Sequence, residues 1–385
     1  MKKLIVCLIL MSSVLRMFAS DSIRVSLLTC APGTEIYALF GHTAIRYEDP
    51  ASGKDWVFNY GMFSFDTPNF VMRFVQGETD YQLGVVPYRR FEMEYALRGS
   101  SVYQQTLNLT LDEKIELGKL LEENYLPANR VYRYNYFYDN CTTRARDKVE
   151  ESLNGRVIYP QNERQVTFRD IIHEYTAGSE WSELGIDLCL GSEADRPIDE
   201  RKQMFAPFYM LEAVRGAMIQ RTDTIVPLLE EETKIVDVVR EDEPAFPFSP
   251  LTCSVGLLVM SVLIAVWGIK RGRAVWCWDI LLFGAQGVGG CVIAFLFFFS
   301  QHPTVGSNWM LALLNPVPLF YLPVMVCKDL KGKKDLYHWI NTGYLMVFMG
   351  MMPFLPQEFH VAVIPLALSL LVTSASHICI YKKRH

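Results

Sequence analysis

A helix that begins at a cysteine is encoded by residues 139–155, which read DNCTTRARDKVEESLNG. Asp139 or Asn140 can cap its N-terminus, and the pair Asn154-Gly155 can end it. Its apolar stripe recurs every four residues, at Cys141, Ala145, Val149 and Leu153. The pattern therefore places the Cys141 thiol on the core-facing side of the first turn, where the helix dipole favours a thiolate.

A thiol nucleophile needs a base, and between the two apolar ends of the chain the only histidines are His42 and His173. His42 follows Gly41 in FGHTAIRYEDP (40–50), which forms a predicted hairpin with DWVFNYG (55–61). His173 is predicted to be exposed on a helix. We therefore expect His42 to be the base and Asn59, on the neighbouring strand, to fix its tautomer. Plain core packing for Cys141 and a structural role for His42 stay open.

The segment 21–221 has the composition of an α+β domain. Further strands are predicted at about 23–29, 80–86 and 101–109, and further helices at about 112–125, 167–177, 179–190 and 203–219. Residues 222–250 are predicted to be a polar hairpin or tether that ends in a proline-rich linker.

The composition favours a two-domain membrane protein. The chain has 385 residues, 50% of them hydrophobic, and a net charge of −5, so no basic field points to nucleic acid. Residues 1–20 have two lysines, an apolar run and small residues before Asp21, as in a signal peptide. Whether it is cleaved stays open. The domain after it is expected to be extracytoplasmic.

Five apolar stretches follow, at about 251–269, 279–300, 310–327, 336–354 and 361–380. Each is close to the ~20 residues that a membrane-spanning helix needs. Lysine and arginine follow the first, third and fifth stretches and are missing from the loops between the others. The positive-inside rule therefore predicts a five-span domain over 251–381 with a cytoplasmic C-terminus.

Cysteine and histidine spacing indicates no metal site outside the membrane, because no close pair of these residues occurs there. The outer cysteines are Cys30, Cys141 and Cys189. A disulfide between Cys30 and Cys189 and three free thiols are both compatible with the sequence.

Two sequence motifs together resemble those of a known family. The first is FGHTAIRYEDP (40–50) followed by FNYGMFSF (58–65), and the second is YNYFYDNCTTRARD (134–147). They resemble the periplasmic domain of the bacterial lipoprotein N-acyltransferases typified by Lnb. More distantly, the order of histidine strand and Asn-Cys helix is similar to the permuted NlpC-type, papain-like fold of lecithin retinol acyltransferase.

The resemblance implies an inner-membrane acyltransferase without a cofactor. Cys141 would be the nucleophile that forms a thioester, His42 the base and Asn59 a less secure third residue. A phospholipid would be the acyl donor, and the α-amine of a diacylglyceryl-cysteine lipoprotein would be the acceptor. A cell-wall thiol peptidase, a phospholipase and a non-enzymatic sensor or scaffold are the alternatives.

Six further residues are candidates for substrate binding. Arg144 lies one turn after Cys141 and can pair with a phosphate or with an acidic neighbour. The loop QHPTVGSNWM (301–310) can line a lipid groove, or its tryptophan can simply anchor at the interface. The candidates are Asn140, Arg144, Tyr60, His302, Asn308 and Trp309.

Overall fold

The computed structural model describes residues 23–66, 68–161, 164–238 and 246–385. The predicted signal peptide, residues 1–20, lies outside the described residues. The chain divides into two compact units: Met1–Val166 with Ile198–Asp242, and Thr167–Pro197 with Glu243–His385. Residues 167–197, expected in the outer domain, therefore pack with the C-terminal unit, and chain order alone does not reveal this.

An antiparallel seven-stranded sheet forms the centre of the first unit, in the order β12-β5-β1-β2-β3-β4-β6. Two small sheets, β11-β10-β7 and β8-β9, complete the strands of the described residues. The strands are β1 Arg24–Cys30, β2 His42–Asp49, β3 Lys54–Met62, β4 Asp80–Pro87, β5 Val102–Leu107, β6 Val131–Arg133, β7 Arg156–Ile158, β8 Val166–Thr167, β9 Pro197–Ile198, β10 Met218–Gln220, β11 Ile225–Pro227 and β12 Leu229–Val236.

Helices cover both faces of the central sheet. Strand alternation sends Leu27 to one face and Leu28 to the other. Leu27 packs in the cluster that contains Leu117 of the helix Leu111–Tyr125 and Val149 of the helix Cys141–Glu151. Leu28 packs in the cluster of Phe91, which lies in the helix Tyr88–Leu97. The helices up to residue 216 are α1 Phe70–Gln76, α2 Tyr88–Leu97, α3 Leu111–Tyr125, α4 Cys141–Glu151, α5 Phe168–Thr176, α6 Glu180–Cys189, α7 Glu200–Gln203 and α8 Pro207–Gly216.

The start of the predicted tether, 222–250, is instead part of the fold. β11 pairs with β10, and β12 pairs with β5 at the edge of the central sheet. Its acidic residues suit an edge strand, since charge at an edge discourages pairing with other chains. Glu232 also accepts hydrogen bonds from Gln105 and Arg215. Residues 239–245 of the predicted linker lie outside the described residues.

The second unit contains the apolar helices of the C-terminal third. They are α9 Pro250–Arg271, α10 Trp276–Phe299, α11 Met310–Leu313, α12 Val317–Leu330, α13 Leu336–Met351 and α14 Val363–Arg384. Within the described residues, four segments are long and apolar enough to cross a membrane: α9, α10, Met310–Leu330 and α14. The predicted span at 336–354 corresponds to α13, whose 16 residues extend only ~24 Å before a 3₁₀ turn at Met352–Phe354.

Candidate active site

The cysteine helix α4 begins as the sequence predicts. Asn140 is its N-cap, and the side-chain oxygen accepts hydrogen bonds from the backbone N–H groups of Thr142 and Thr143. The Asn140 amide nitrogen donates to the carbonyl oxygens of Tyr136 and Phe205. Asn140 is buried, so its side chain is committed to the fold, contrary to the expected contact with substrate.

His42 is the first residue of β2. The preceding Gly41 has φ +76°, and a Cβ there would lie 2.4 Å from the carbonyl oxygen of Cys30. Only glycine therefore fits this turn without moving the strand. The turn delivers His42 to the N-terminus of α4, where the imidazole and the Cys141 thiol are close enough to shift each other's pKa through charge and hydrogen bonding.

Asn59 fixes the orientation of His42. Its side-chain oxygen lies 3.2 Å from Nε2 of His42, and its amide nitrogen donates to the carbonyl oxygen of Val57 at 3.3 Å. Because the amide nitrogen is used in this way, the oxygen faces the imidazole and Nε2 must carry the proton. Nδ1 is then the nitrogen left to exchange a proton with Cys141.

The electrostatic surroundings favour a thiolate–imidazolium pair. Burial opposes the charge on Cys141, but the charge and hydrogen bond of His42 outweigh it and lower the pKa of the thiol. Burial likewise opposes the charge on His42, yet Cys141 and Asn59 outweigh it and raise the pKa of the imidazole. The two shifts favour proton transfer from sulfur to nitrogen.

Two threonines join the strand to the helix at this point, and the sequence analysis did not find them. The hydroxyl oxygens of Thr43 and Thr142 lie 3.1 Å apart, and the Thr142 hydroxyl lies 3.8 Å from the sulfur of Cys141. The backbone of Thr43 also hydrogen bonds with Cys141 and helps to lower the pKa of its thiol. Their position next to His42 and Cys141 in the sequence was the available signal.

A row of aromatic rings leads away from the thiol. A Cβ on Gly61, which has φ +85°, would lie 3.8 Å from Cβ of Cys141 and 3.5 Å from the ring of Tyr134. Tyr134 stacks on Tyr81 at 4.2 Å between ring centroids, and Tyr81 contacts Phe63 at 5.1 Å.

Beyond Phe63 the row reaches the surface. Phe63 contacts Phe65 and Phe70, with centroids 5.0 and 5.6 Å away. Phe65 is 65% exposed, and none of the residues of α1 is buried. The row ends in an exposed apolar patch. Tyr37, Phe65 and Phe74 belong to it through ring contacts, and Ile36, Val71 and Met72 are exposed apolar residues next to them in the sequence. Exposed apolar patches of this kind mark interaction surfaces.

Two other candidates in this unit are committed to internal contacts. Arg144 makes a two-point ion pair with Asp139, at 2.5 and 2.7 Å, and its guanidinium lies over the ring of Tyr132. The acidic-neighbour alternative is therefore the one realised. Tyr60 has no exposed surface and donates its hydroxyl hydrogen to Asn124, so the expected role in substrate binding is wrong.

The loop candidates belong to the second unit. Asn308 is buried; its amide donates to the carbonyl oxygen of Leu188, and its oxygen accepts from the backbone of Met310. It is a structural link between α6 and the loop, not a surface group. Trp309 is 44% exposed, as expected of an interfacial anchor, and His302 is half-buried.

His173 differs from the exposed residue that was predicted. Its Nε2 lies 3.0 Å from both carboxylate oxygens of Asp187, which raises the pKa of the imidazole. His173, Glu183 and Asp187 have metal-ligand spacing, but Asp187 already pairs with Arg169 at 2.6 Å. The guanidinium of Arg169 thus already pairs with the carboxylate that a metal ion would need. Cys30 and Cys189 are free thiols, so the alternative without a disulfide is the one found.

Family models match both parts of the chain. The model described as the Lnb N-terminal periplasmic domain matches residues 11–176, and the model described as the Lnb transmembrane domain matches residues 241–384. Searches of the curated proteins and of the solved structures give no significant match.

Proposed function

Since the chain belongs to the Lnb family, with a periplasmic domain and transmembrane helices in the inner membrane, we propose that it is a lipoprotein N-acyltransferase. The acyl donor is a membrane phospholipid, and the acceptor is the α-amine of a diacylglyceryl-cysteine lipoprotein. The observation that carries the proposal is the Cys141–His42–Asn59 constellation at the N-terminus of α4.

In the first half-reaction the Cys141 thiolate attacks an ester carbonyl of the phospholipid. The backbone N–H of Cys141 stabilises the oxyanion, because it lies at the positive end of the helix dipole and the next two N–H groups already donate to Asn140. When the tetrahedral intermediate collapses, the C–O bond of the ester breaks. The imidazolium of His42 gives its Nδ1 proton to the departing lysophospholipid oxygen, and the acyl chain remains on sulfur as a thioester.

In the second half-reaction the lipoprotein amine attacks the thioester carbonyl. Neutral His42 accepts the proton that the amine loses as the C–N bond forms. The C–S bond then breaks, and the products are the amide and the Cys141 thiolate beside imidazolium. Asn59 holds the Nε2–H tautomer throughout, so Nδ1 stays the working nitrogen.

The apolar patch supports a lipid substrate. It is continuous, through Phe63, Tyr81 and Tyr134, with the surroundings of Cys141. A peptidase acting on a polar wall peptide needs no such surface, whereas acyl chains would contact it and keep water away from a thioester.

The membrane domain is proposed to cross the bilayer five times. In this arrangement α13 and the 3₁₀ turn after it form the fourth crossing, and local thinning or flanking residues compensate for its short length. The basic residues at the end of α14 support a cytoplasmic C-terminus by the positive-inside rule. The sheet-containing unit is proposed to be a permuted NlpC-like thiol domain.

Mass spectrometry of a lipoprotein N-terminus from cells that depend on this protein tests the reaction. With His42→Ala we expect a free α-amine in place of the amide, because no base or acid serves either half-reaction. His173→Ala is the matched control and should retain N-acylation, since His173 pairs with Asp187 in the other unit. Normal N-acylation by His42→Ala would remove the proposal.

Reconstitution separates the alternatives. The full-length protein in phospholipid vesicles should form N-acylated product with a diacylated lipopeptide. Release of free fatty acid alone would identify a phospholipase, and cleavage of muropeptides a peptidase. A sensor or scaffold would do none of these.

A further inference from the structure

Four ionisable side chains meet inside the second unit, each on a different apolar helix. They are Asp279 on α10, Asp329 on α12, His338 on α13 and His377 on α14. Every one of these side chains is more than nine-tenths buried. Ionisable groups within membrane helices are costly, so such a cluster marks a functional site by default.

His377 lies between two carboxylates. Its Nε2 is 3.1 Å from Oδ1 of Asp279, and its Nδ1 is 3.1 Å from Oδ1 of Asp329. Among the described residues, Oδ2 of each aspartate and Nε2 of His338 have no hydrogen-bond partner. Buried atoms of this kind are normally satisfied, so three unsatisfied ones in a single cluster call for a ligand.

We propose that Asp329, His338 and His377 bind a divalent transition-metal ion, for which zinc is the expected occupant. One potential ligand atom from each residue lies within 4.8 Å of the other two. The 3.1 Å between Nδ1 of His377 and Oδ1 of Asp329 suits two ligands of one ion, because bonds of about 2.0–2.1 Å at tetrahedral angles separate ligands by roughly 3.3 Å.

Asp279 then acts as a positioning residue. Its carboxylate accepts the Nε2 hydrogen of His377 and thereby leaves Nδ1 unprotonated toward the ion. A carboxylate that orients a histidine ligand in this way is the usual second partner of protein zinc sites.

His338 must turn its ring to complete the site. The imidazoles of His338 and His377 are stacked, with centroids 3.8 Å apart and 9° between their planes. Parallel rings cannot both aim a nitrogen at one ion, so a rotation about χ2 of His338 is required. The rotation gives up the stacking on His377 and the 3.5 Å contact of Nδ1 with the Ser374 hydroxyl, but Nε2 has no hydrogen bond to lose.

A divalent ion also suits the charges of the cluster. A divalent ion with two carboxylates and two neutral imidazoles is electroneutral, which reduces the cost of burial. A small cavity lined by Trp278, Thr373, Asp279 and His377 adjoins the cluster.

Metal analysis of the full-length protein tests the site, and its outcome is independent of the proposed acyl transfer. The protein, without a histidine tag and with Cys141→Ser to remove thiolate binding, is stripped with a chelator and titrated with Zn²⁺ in detergent. We expect about one equivalent of zinc per chain and a zinc-dependent rise in Tm. His338→Ala and His377→Ala should lose both zinc binding and the zinc-dependent rise in Tm. Asp279→Asn should weaken zinc binding ~10–100-fold.

The matched control is His360→Ala, a histidine of the same unit outside the cluster, which should bind zinc as the parent does. His338→Ala is the decisive variant because Nε2 of His338 makes no hydrogen bond whose loss would destabilise the folded protein. If the parent binds no zinc, or if folded His338→Ala binds as tightly as the parent, the cluster is a proton-held ion pair and the proposal is overturned.

Discussion

Cys30 and Cys141 both belong to the sheet-containing unit, but their surroundings shift their thiol pKa values in opposite directions. Cys30 ends β1 directly opposite His42 in the strand register. Burial raises the pKa of Cys30, and its hydrogen bond with Tyr95 only partly offsets this. Cys141 is also desolvated, yet its pKa is lowered.

The difference shows what makes a thiol reactive. Being next to His42 in the sheet is not enough, because the imidazole hydrogen bonds with Cys141 and not with Cys30. Three features act together on the Cys141 thiol: its position at the helix N-terminus, the Nδ1 side of the His42 imidazole and the backbone of Thr43. Cys30 is a small apolar residue in the packing beneath α2.

The largest expected effect separates the two cysteines directly. Cys141→Ala should lower the rate of acyl transfer by roughly 10⁴-fold or more, as removal of a nucleophile does in other covalent enzymes. Cys30→Ala should change the rate by less than about tenfold, since it removes one sulfur from a packed cluster. Transfer of a labelled acyl chain to a diacylated lipopeptide measures both. If folded Cys30→Ala lost as much acyl-transfer activity as Cys141→Ala, the proposed difference between the two cysteines would be wrong.

Local sequence patterns account for much of this site. The N-cap at Asn140, the four-residue stripe of α4 and the hairpin of β2 and β3 are each encoded within about 20 residues. The pairing of Asn59 with His42 follows from the hairpin, because neighbouring strands bring their side chains together. That pairing is found at 3.2 Å.

Contacts between distant segments could not be predicted in the same way. Thr43 and Thr142 are 99 residues apart, and a loop with no periodic pattern brings Tyr134 beside Gly61, close to Cys141. Phe58 and Tyr60 alternate along β3 and both pack in the main core cluster, but alternation alone does not reveal which face of a sheet is covered. The acidic residues of β12 suggested a polar tether, because its strand conformation depends on pairing with the distant strand β5.

An intermediate effect tests Asn59 as the positioning residue. Asn59→Ala frees Nε2 of His42, so the fraction of imidazole in the working tautomer falls and kcat should drop ~10²-fold. Because Asn59 also raises the pKa of His42, the alkaline limb of the rate profile should move to lower pH. Asn108→Ala, at an exposed amide in the same unit, is the control. An unchanged pH profile in Asn59→Ala would assign that residue to packing.

The smallest expected effect is a shift in thiol reactivity with pH. Alkylation by iodoacetamide requires thiolate, so a lowered pKa keeps Cys141 reactive as pH falls below the ~8.5 of an ordinary thiol. His42→Ala removes the largest favourable influence on that thiolate, and the midpoint should rise by about one unit or more. Peptide mass spectrometry follows Cys141 alongside Cys30, which should stay unmodified over the same range because burial raises its pKa. Equal midpoints for Cys141 in the parent and in His42→Ala would mean that the helix N-terminus alone activates the sulfur. His42 would then act only as an acid and base in the two half-reactions.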